Sequence, residues 1–135
     1  MKSWSEYLEE QVAESQVKPL RKIMKELADE IKKNPNWART QYDDSDIALY
    51  TKFRKVKDGM RMGEYYSTHF VFNKDNKLAY ISHYAINPNV GDLIFVPSIQ
   101  KVLKAHFKNH KYTEKFSNMG SYEWRFVEPF DPTDL

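Results

Sequence analysis

Four histidines carry most of the chemical interest in this chain of 135 residues: His69, His83, His106 and His110. Two of them fall in the stretch EYYSTHFVFNKDNKLAYISHYAINP, residues 64–88, fourteen positions apart and each directly after a hydroxyl residue, Thr68 or Ser82. Neutral imidazoles brought together bind metals or shuttle protons. Whether His69 and His83 meet depends on the hairpin that joins them, because a one-residue slip sends every side chain to the other face. A two-residue turn at Asp75-Asn76 sets His69 opposite Ser82 and sends the histidines to opposite faces. A three-residue turn over residues 75–77 sets His69 directly across from His83. Asp-Asn lacks the glycine that favours a tight primed turn, so the sequence leaves both registers open.

His106 and His110, in KAHFKNH, stand at i and i+4, the spacing of helical zinc sites. Phe107 occupies the position where a metalloprotease carries its glutamate base. At 100° per residue, Phe95, Ile99, Val102, Leu103, His106 and His110 fall on one side, and Lys101, Lys104 and Lys108 on the other. The two histidines therefore continue a core-facing stripe, His106 against the sheet and His110 at its margin. No Asp or Glu stands by sequence as a further ligand, and no metal is expected. Paired-histidine phosphoesterase motifs place the hydroxyl two residues after the histidine, whereas here it comes before.

Other reactive patterns are missing. No phosphate-binding or dinucleotide-binding glycine motif and no G-x-S-x-G occurs. The carboxylate pairs Glu9-Glu10 and Asp43-Asp44 lie in polar settings and read as solvated charges. Nothing places a nucleophile beside a base, so no catalytic residue and no cofactor is expected.

Charge is more informative. Residues 1–46 carry 8 basic and 10 acidic side chains, residues 47–115 carry 12 and 5, and residues 116–135 carry 1 and 4. The middle is thus net positive by seven between two acidic flanks, and an anionic partner follows unless the flanks fold back over it. In IALYTKFRKV, Ile47, Leu49, Thr51 and Phe53 alternate with Ala48, Tyr50, Lys52 and Arg54, which puts one tyrosine and two cations on the open side of a strand. Lys55, Lys57 and Arg61 follow, and Tyr65 in the partner strand flanks them. Cations for phosphate and a flat ring for a base suit nucleic acid or a nucleotide-like anion. The competing expectation is that edge-strand lysine and arginine only block unwanted sheet pairing. A protein-interaction module (a small inhibitor, chaperone-like or self-associating subunit) is the alternative function, with Trp4, Tyr7 and Leu8 of an N-terminal helix, or a sheet edge, as its contact surface.

The chain has no cysteine, so no disulfide is possible. MKSWSEYLEE has no apolar h-region and no window approaches a membrane span, so a cytoplasmic protein without membrane contact is expected.

These residues imply a single α+β domain over 1–135, with a helical part at 1–34, a sheet plus helix at 47–127 and a frayed tail at 130–135. Ser3 and Glu6 form a capping box for a first helix. Lys18-Pro19 ends it, and Pro19 opens a second, with Leu20, Ile23, Met24, Leu27 and Ile31 as its apolar stripe. QYDDSD, residues 41–46, reads as a loop. Strands follow from Ile47, from Met62 to Asn73 and from Leu78 to Ile86, then a helix from Pro97 to about Asn109, a short extra strand around residues 112–116, and a last strand at SYEWRFVEP with Tyr122, Trp124 and Phe126 inward. The expected order is ααβββαβ, with a mainly antiparallel sheet of four to five strands.

That order resembles the middle of the N-acetyltransferase fold. In that family the strand corresponding to the one ending at AINP leads into a glycine-rich loop and helix N-terminus that grip pyrophosphate. Here NPNVGDLIFVP offers one glycine and Asp92. The resemblance therefore implies an acyltransferase-like domain without the cofactor loop.

Overall fold

Helix α1 spans Glu14–Lys32 and buries one stripe, Val17, Leu20, Ile23, Met24, Leu27, Ala28 and Ile31. This element and those that follow come from a computed structural model that describes residues 14–35, 37–43, 47–53, 65–86, 93–117 and 120–135. Contrary to the sequence expectation, Pro19 does not break the chain into two helices but lies inside α1. An internal proline removes one backbone bond and costs about 3 kcal/mol. Val17 and Leu20, on either side of it, are 7% and 0% exposed, and burial of each contributes about 1.5–3 kcal/mol. Packing therefore outweighs the break. The residues expected to form an earlier helix, 3–12, lie outside the described residues, as does the capping box.

Among the described residues six strands follow: β1 (Trp37–Asp43), β2 (Ala48–Phe53), β3 (Tyr65–Phe72), β4 (Leu78–Ala85), β5 (Tyr112–Ser117) and β6 (Ser121–Phe130), with helix α2 (Val96–His106) between β4 and β5. They form one sheet in the order β1-β2-β3-β4-β6-β5, and every pairing is antiparallel. The architecture is α+β, with one more strand than the sequence suggested. The addition is β1, whose last residues fall in the stretch read as a loop. An edge strand such as WARTQYD has no continuously buried face, and its mixed exposure hides the period of two.

The two α-helices among the described residues lie on one face of the sheet. Leu49, Tyr66, Phe70, Ile81, Trp124 and Phe126 from the strands share a core with the α1 stripe and with Phe95, Ile99, Val102, Leu103 and Phe107. The helices are tied to each other by Glu30 and Lys101, 3.4 Å apart, and by a contact between Glu26 and His106. His106 thus faces α1 and not the sheet, a departure from the expected packing. His110 lies at the margin as expected, stacked on Phe130 with centroids 3.8 Å apart.

The tail also differs from expectation. Asp131 accepts hydrogen bonds from the backbone nitrogen and hydroxyl of Thr133 and caps a short 3-10 turn, Pro132–Asp134. Pro132 is buried. Among the described residues, no helix is long and apolar enough to cross a membrane.

Candidate nucleic-acid interface

The β3–β4 hairpin decides which side chains share a face. Its turn is neither of the two simple alternatives. Asn73 and Lys77 close a three-residue loop through Asn73 N donating to Lys77 O at 2.9 Å, and Asn73 Oδ1 accepts from the nitrogens of Asp75 and Lys77. Asn76 takes a φ of 59°, a left-handed conformation that asparagine tolerates. Such a loop pairs Phe72 with Leu78, but an irregularity at Ala79 shifts the ladder, so Val71 pairs with Tyr80 and His69 with Ser82. His69 and His83 therefore point to opposite faces.

His83 faces the helices. It is fully buried and stacked on Tyr66 with centroids 5.4 Å apart. Nδ1 shares a 2.9 Å hydrogen bond with the Thr68 hydroxyl, while Nε2 is buried without a partner. Burial disfavours the charged imidazolium and pushes the pKa down to about 3. A neutral, sealed imidazole of this kind belongs to the core. Among the described residues, no group of three or more potential ligands could hold a metal ion.

His69 faces the other way, onto the side of the sheet opposite the helices. Lateral pairing builds two rows there: Gln41, Tyr50, Ser67, Tyr84 and Ser121, and next to it Asp43, Ala48, His69, Ser82, Glu123 and Lys115. Arg39 and Lys52 pair in a third row, at whose β3 position Tyr65 pairs through its backbone with Lys52. The His69 ring stacks on Tyr84, 3° from parallel with centroids 5.6 Å apart, and meets Tyr50 edge-on at 5.9 Å. Its Nε2 is the common partner of the Ser67 and Tyr84 hydroxyls, the latter at 3.2 Å. Ser67 is 0% exposed, so this serine-histidine pair cannot present a nucleophile to a substrate. Tyr84, 36% exposed, is the outward-facing member of the cluster.

Of the residues singled out by sequence, Tyr50 and Lys52 are brought together on this face, both partly exposed. Tyr65 begins β3, and Arg54, Lys55, Lys57 and Arg61 lie outside the described residues. Sequence reasoning missed His69, Tyr80, Tyr84, Arg39, Lys115 and Arg125 as members of the same face. The alternation Tyr80, Ser82, Tyr84 in β4 carried the signal, but only the register across three strands ties it to Tyr50.

One groove lies elsewhere. A space of about 330 Å³ between α1 and α2 is lined by Glu26, Asp29, Glu30, Lys101, Val102 and Ala105. Its carboxylates are largely answered from within. Lys33, and behind it Lys101, hold the Glu30 carboxyl below its usual range, and Glu26 meets His106.

The fold and the ring-bearing face define a small α+β domain with an antiparallel sheet whose described helices pack on one face. Compared with protein-family models, with curated protein sequences and with solved structures, the chain matches none.

Proposed function

We propose that this chain is a non-catalytic binding module whose sheet face opposite the helices engages nucleic acid or a nucleotide-like anion. The observation that supports this reading is the alignment of Tyr50, His69 and Tyr84 on three adjacent strands of one face, flanked by Arg39 and Lys52 on one side and Lys115 on the other. Rings supply stacking surface at about 1–3 kcal/mol per base, and the flanking cations supply a salt-sensitive attraction to phosphate. The cationic segment Arg54, Lys55, Lys57 and Arg61 continues directly from the Lys52 strand in sequence.

Charge reversal tests it. Lys52→Glu combined with Arg54→Glu abolishes oligonucleotide binding and changes stability by about 0.5 kcal/mol or less, the usual range for surface substitutions. Unchanged binding in that variant would refute the reading.

A second reading, a protein partner, is favoured by β5. It is an edge strand, and its Phe116 is 55% exposed beside Tyr122. An exposed edge is a template for strand addition. Under this reading Phe116→Lys removes the partner and leaves oligonucleotide binding untouched.

A further inference from the structure

Tyr80 and Arg125 lie opposite each other on β4 and β6, on the same face as His69 and Tyr84. The guanidinium carbon of Arg125 sits 4.4 Å from the centroid of the Tyr80 ring. Arg125 Nε donates to Glu123 Oε2 and Nη2 donates to Oε1, each at 3.0 Å. A bidentate carboxylate fixes the direction of the guanidinium, and the ring fixes its height above the sheet. Even so, the Arg125 side chain remains 53% exposed. One side of the group is covered by tyrosine, its edge is held by glutamate, and the outer side meets solvent.

This geometry suits one kind of ligand group and disfavours another. A phosphate approaching Arg125 would meet the Glu123 carboxylate, which occupies the Nε–Nη2 edge of the guanidinium and repels a second anion. An uncharged base meets no such obstacle and stacks on a guanidinium as it would on a ring. Along β4, Tyr84 stands four residues from Tyr80, about 13 Å at the rise of a strand, with Ser82 and His69 between them. Two flat stations on one strand, with Lys115 and Lys52 to either side, match bases that are accessible from their faces. In a duplex those faces are hidden within the stack.

Building on the open-face reading above, we propose that Arg125 on Tyr80 is a second base-stacking station, that Glu123 is its positioning residue, and that the ligand is an unpaired nucleic acid strand lying along β4. The Arg125–Glu123 pair is solvent-exposed, and exposed pairs contribute little to stability. Its substitutions therefore report on binding and not on folding.

The test uses the full chain, a labelled oligouridylate, and the same strand annealed to oligoadenylate, with affinity read by fluorescence anisotropy between about 50 and 200 mM salt. The wild-type protein is expected to bind the single strand at least about tenfold more tightly than the duplex. Arg125→Lys is expected to lower affinity about tenfold at every salt concentration, because lysine keeps the positive charge and lacks the flat surface on which a base stacks. Glu123→Gln is expected to steepen the slope by about 0.7, because a released Arg125 turns to phosphate. Equal binding of duplex, full affinity in Arg125→Lys, or a slope left unchanged by Glu123→Gln would each overturn this inference while leaving the open-face reading in place. Failure of the wild-type protein to bind either form would overturn both.

Discussion

The ring of Tyr84 lies within 3° of parallel to that of His69, and its hydroxyl stands 3.2 Å from the imidazole Nε2. The pair exists because Tyr84 is registered against Ser67, one pleat along from His69, so that phenol and imidazole overlap diagonally between β3 and β4. Ser67 is sealed, and the outer tyrosine is the part that meets solvent.

This arrangement separates two roles of Tyr84. Tyr84→Phe keeps the stacking surface and loses only the hydroxyl contact to His69, so single-strand affinity stays within about twofold. Tyr84→Ala removes the surface and costs about tenfold, in line with about 1–3 kcal/mol per stacked base. Anisotropy titrations of the two variants distinguish a flat-surface role from a hydroxyl role.

His83 makes the fold sensitive to acid. Its folded-state pKa is depressed to about 3 from 6.5. Below 6.5 the unfolded chain takes up a proton that the folded chain refuses, so stability falls as pH drops from about 6.5 toward 3. The slope is on the order of 1 kcal/mol per pH unit. Urea unfolding between about pH 4 and pH 6.5 reads it. In Thr68→Val with His83→Phe, which removes the imidazole together with its hydroxyl partner, the slope flattens by about that amount.

Pro19 leaves the Ser15 carbonyl without its partner in the turn of α1. Pro19→Ala supplies the missing N–H and relieves the ring clash, and is expected to raise stability by about 1–3 kcal/mol despite the greater freedom given to the unfolded chain. Thermal unfolding measures the shift, expected as an increase in Tm.

The C-terminal turn holds the chain end against the body of the protein. Pro132 is buried, Gln16 of α1 donates to Asn76 O at 2.6 Å, and the Asp131 carboxyl is held below its usual range by the hydroxyl and backbone nitrogen of Thr133 first and then by Gln16. Truncation after Phe130 is expected to lower stability by about 2 kcal/mol through lost apolar burial and the released amide. A change in the urea midpoint checks this.

How far these features could be read from the sequence depended on whether they were set locally. The apolar stripe of α1 and the inward triplet Tyr122, Trp124 and Phe126 were legible, because burial on one face writes a period directly into the chain. Tyr122 is half-buried in the structure and the other two are buried. The placement of Tyr50 and Lys52 on the side away from the helices was legible for the same reason. By contrast, β1 was hidden because an edge strand leaves residues such as Arg39, Gln41 and Tyr42 exposed on both faces.

Tertiary contacts decided the rest. The break expected at Lys18-Pro19 was a local propensity that the burial of Val17 and Leu20 overrides. The relation between His69 and His83 was undecidable from turn residues, because an irregularity at Ala79 resets the register after the loop has set it. The ring cluster of Tyr50, His69 and Tyr84 draws on three strands, and the Tyr80–Arg125 pair joins residues 45 positions apart. No local pattern announces either.

The most direct test of the central claim compares the two faces of the sheet in one experiment: an NMR titration of the aromatic side-chain signals with a short oligouridylate. The open-face account predicts that Tyr84, His69, Tyr50 and Tyr80 shift and saturate together, while Tyr66, His83 and Trp124 on the helix-facing side stay in place. Shifts that appear on helix-facing residues or at the β5 edge and spare Tyr84 and His69 would contradict it.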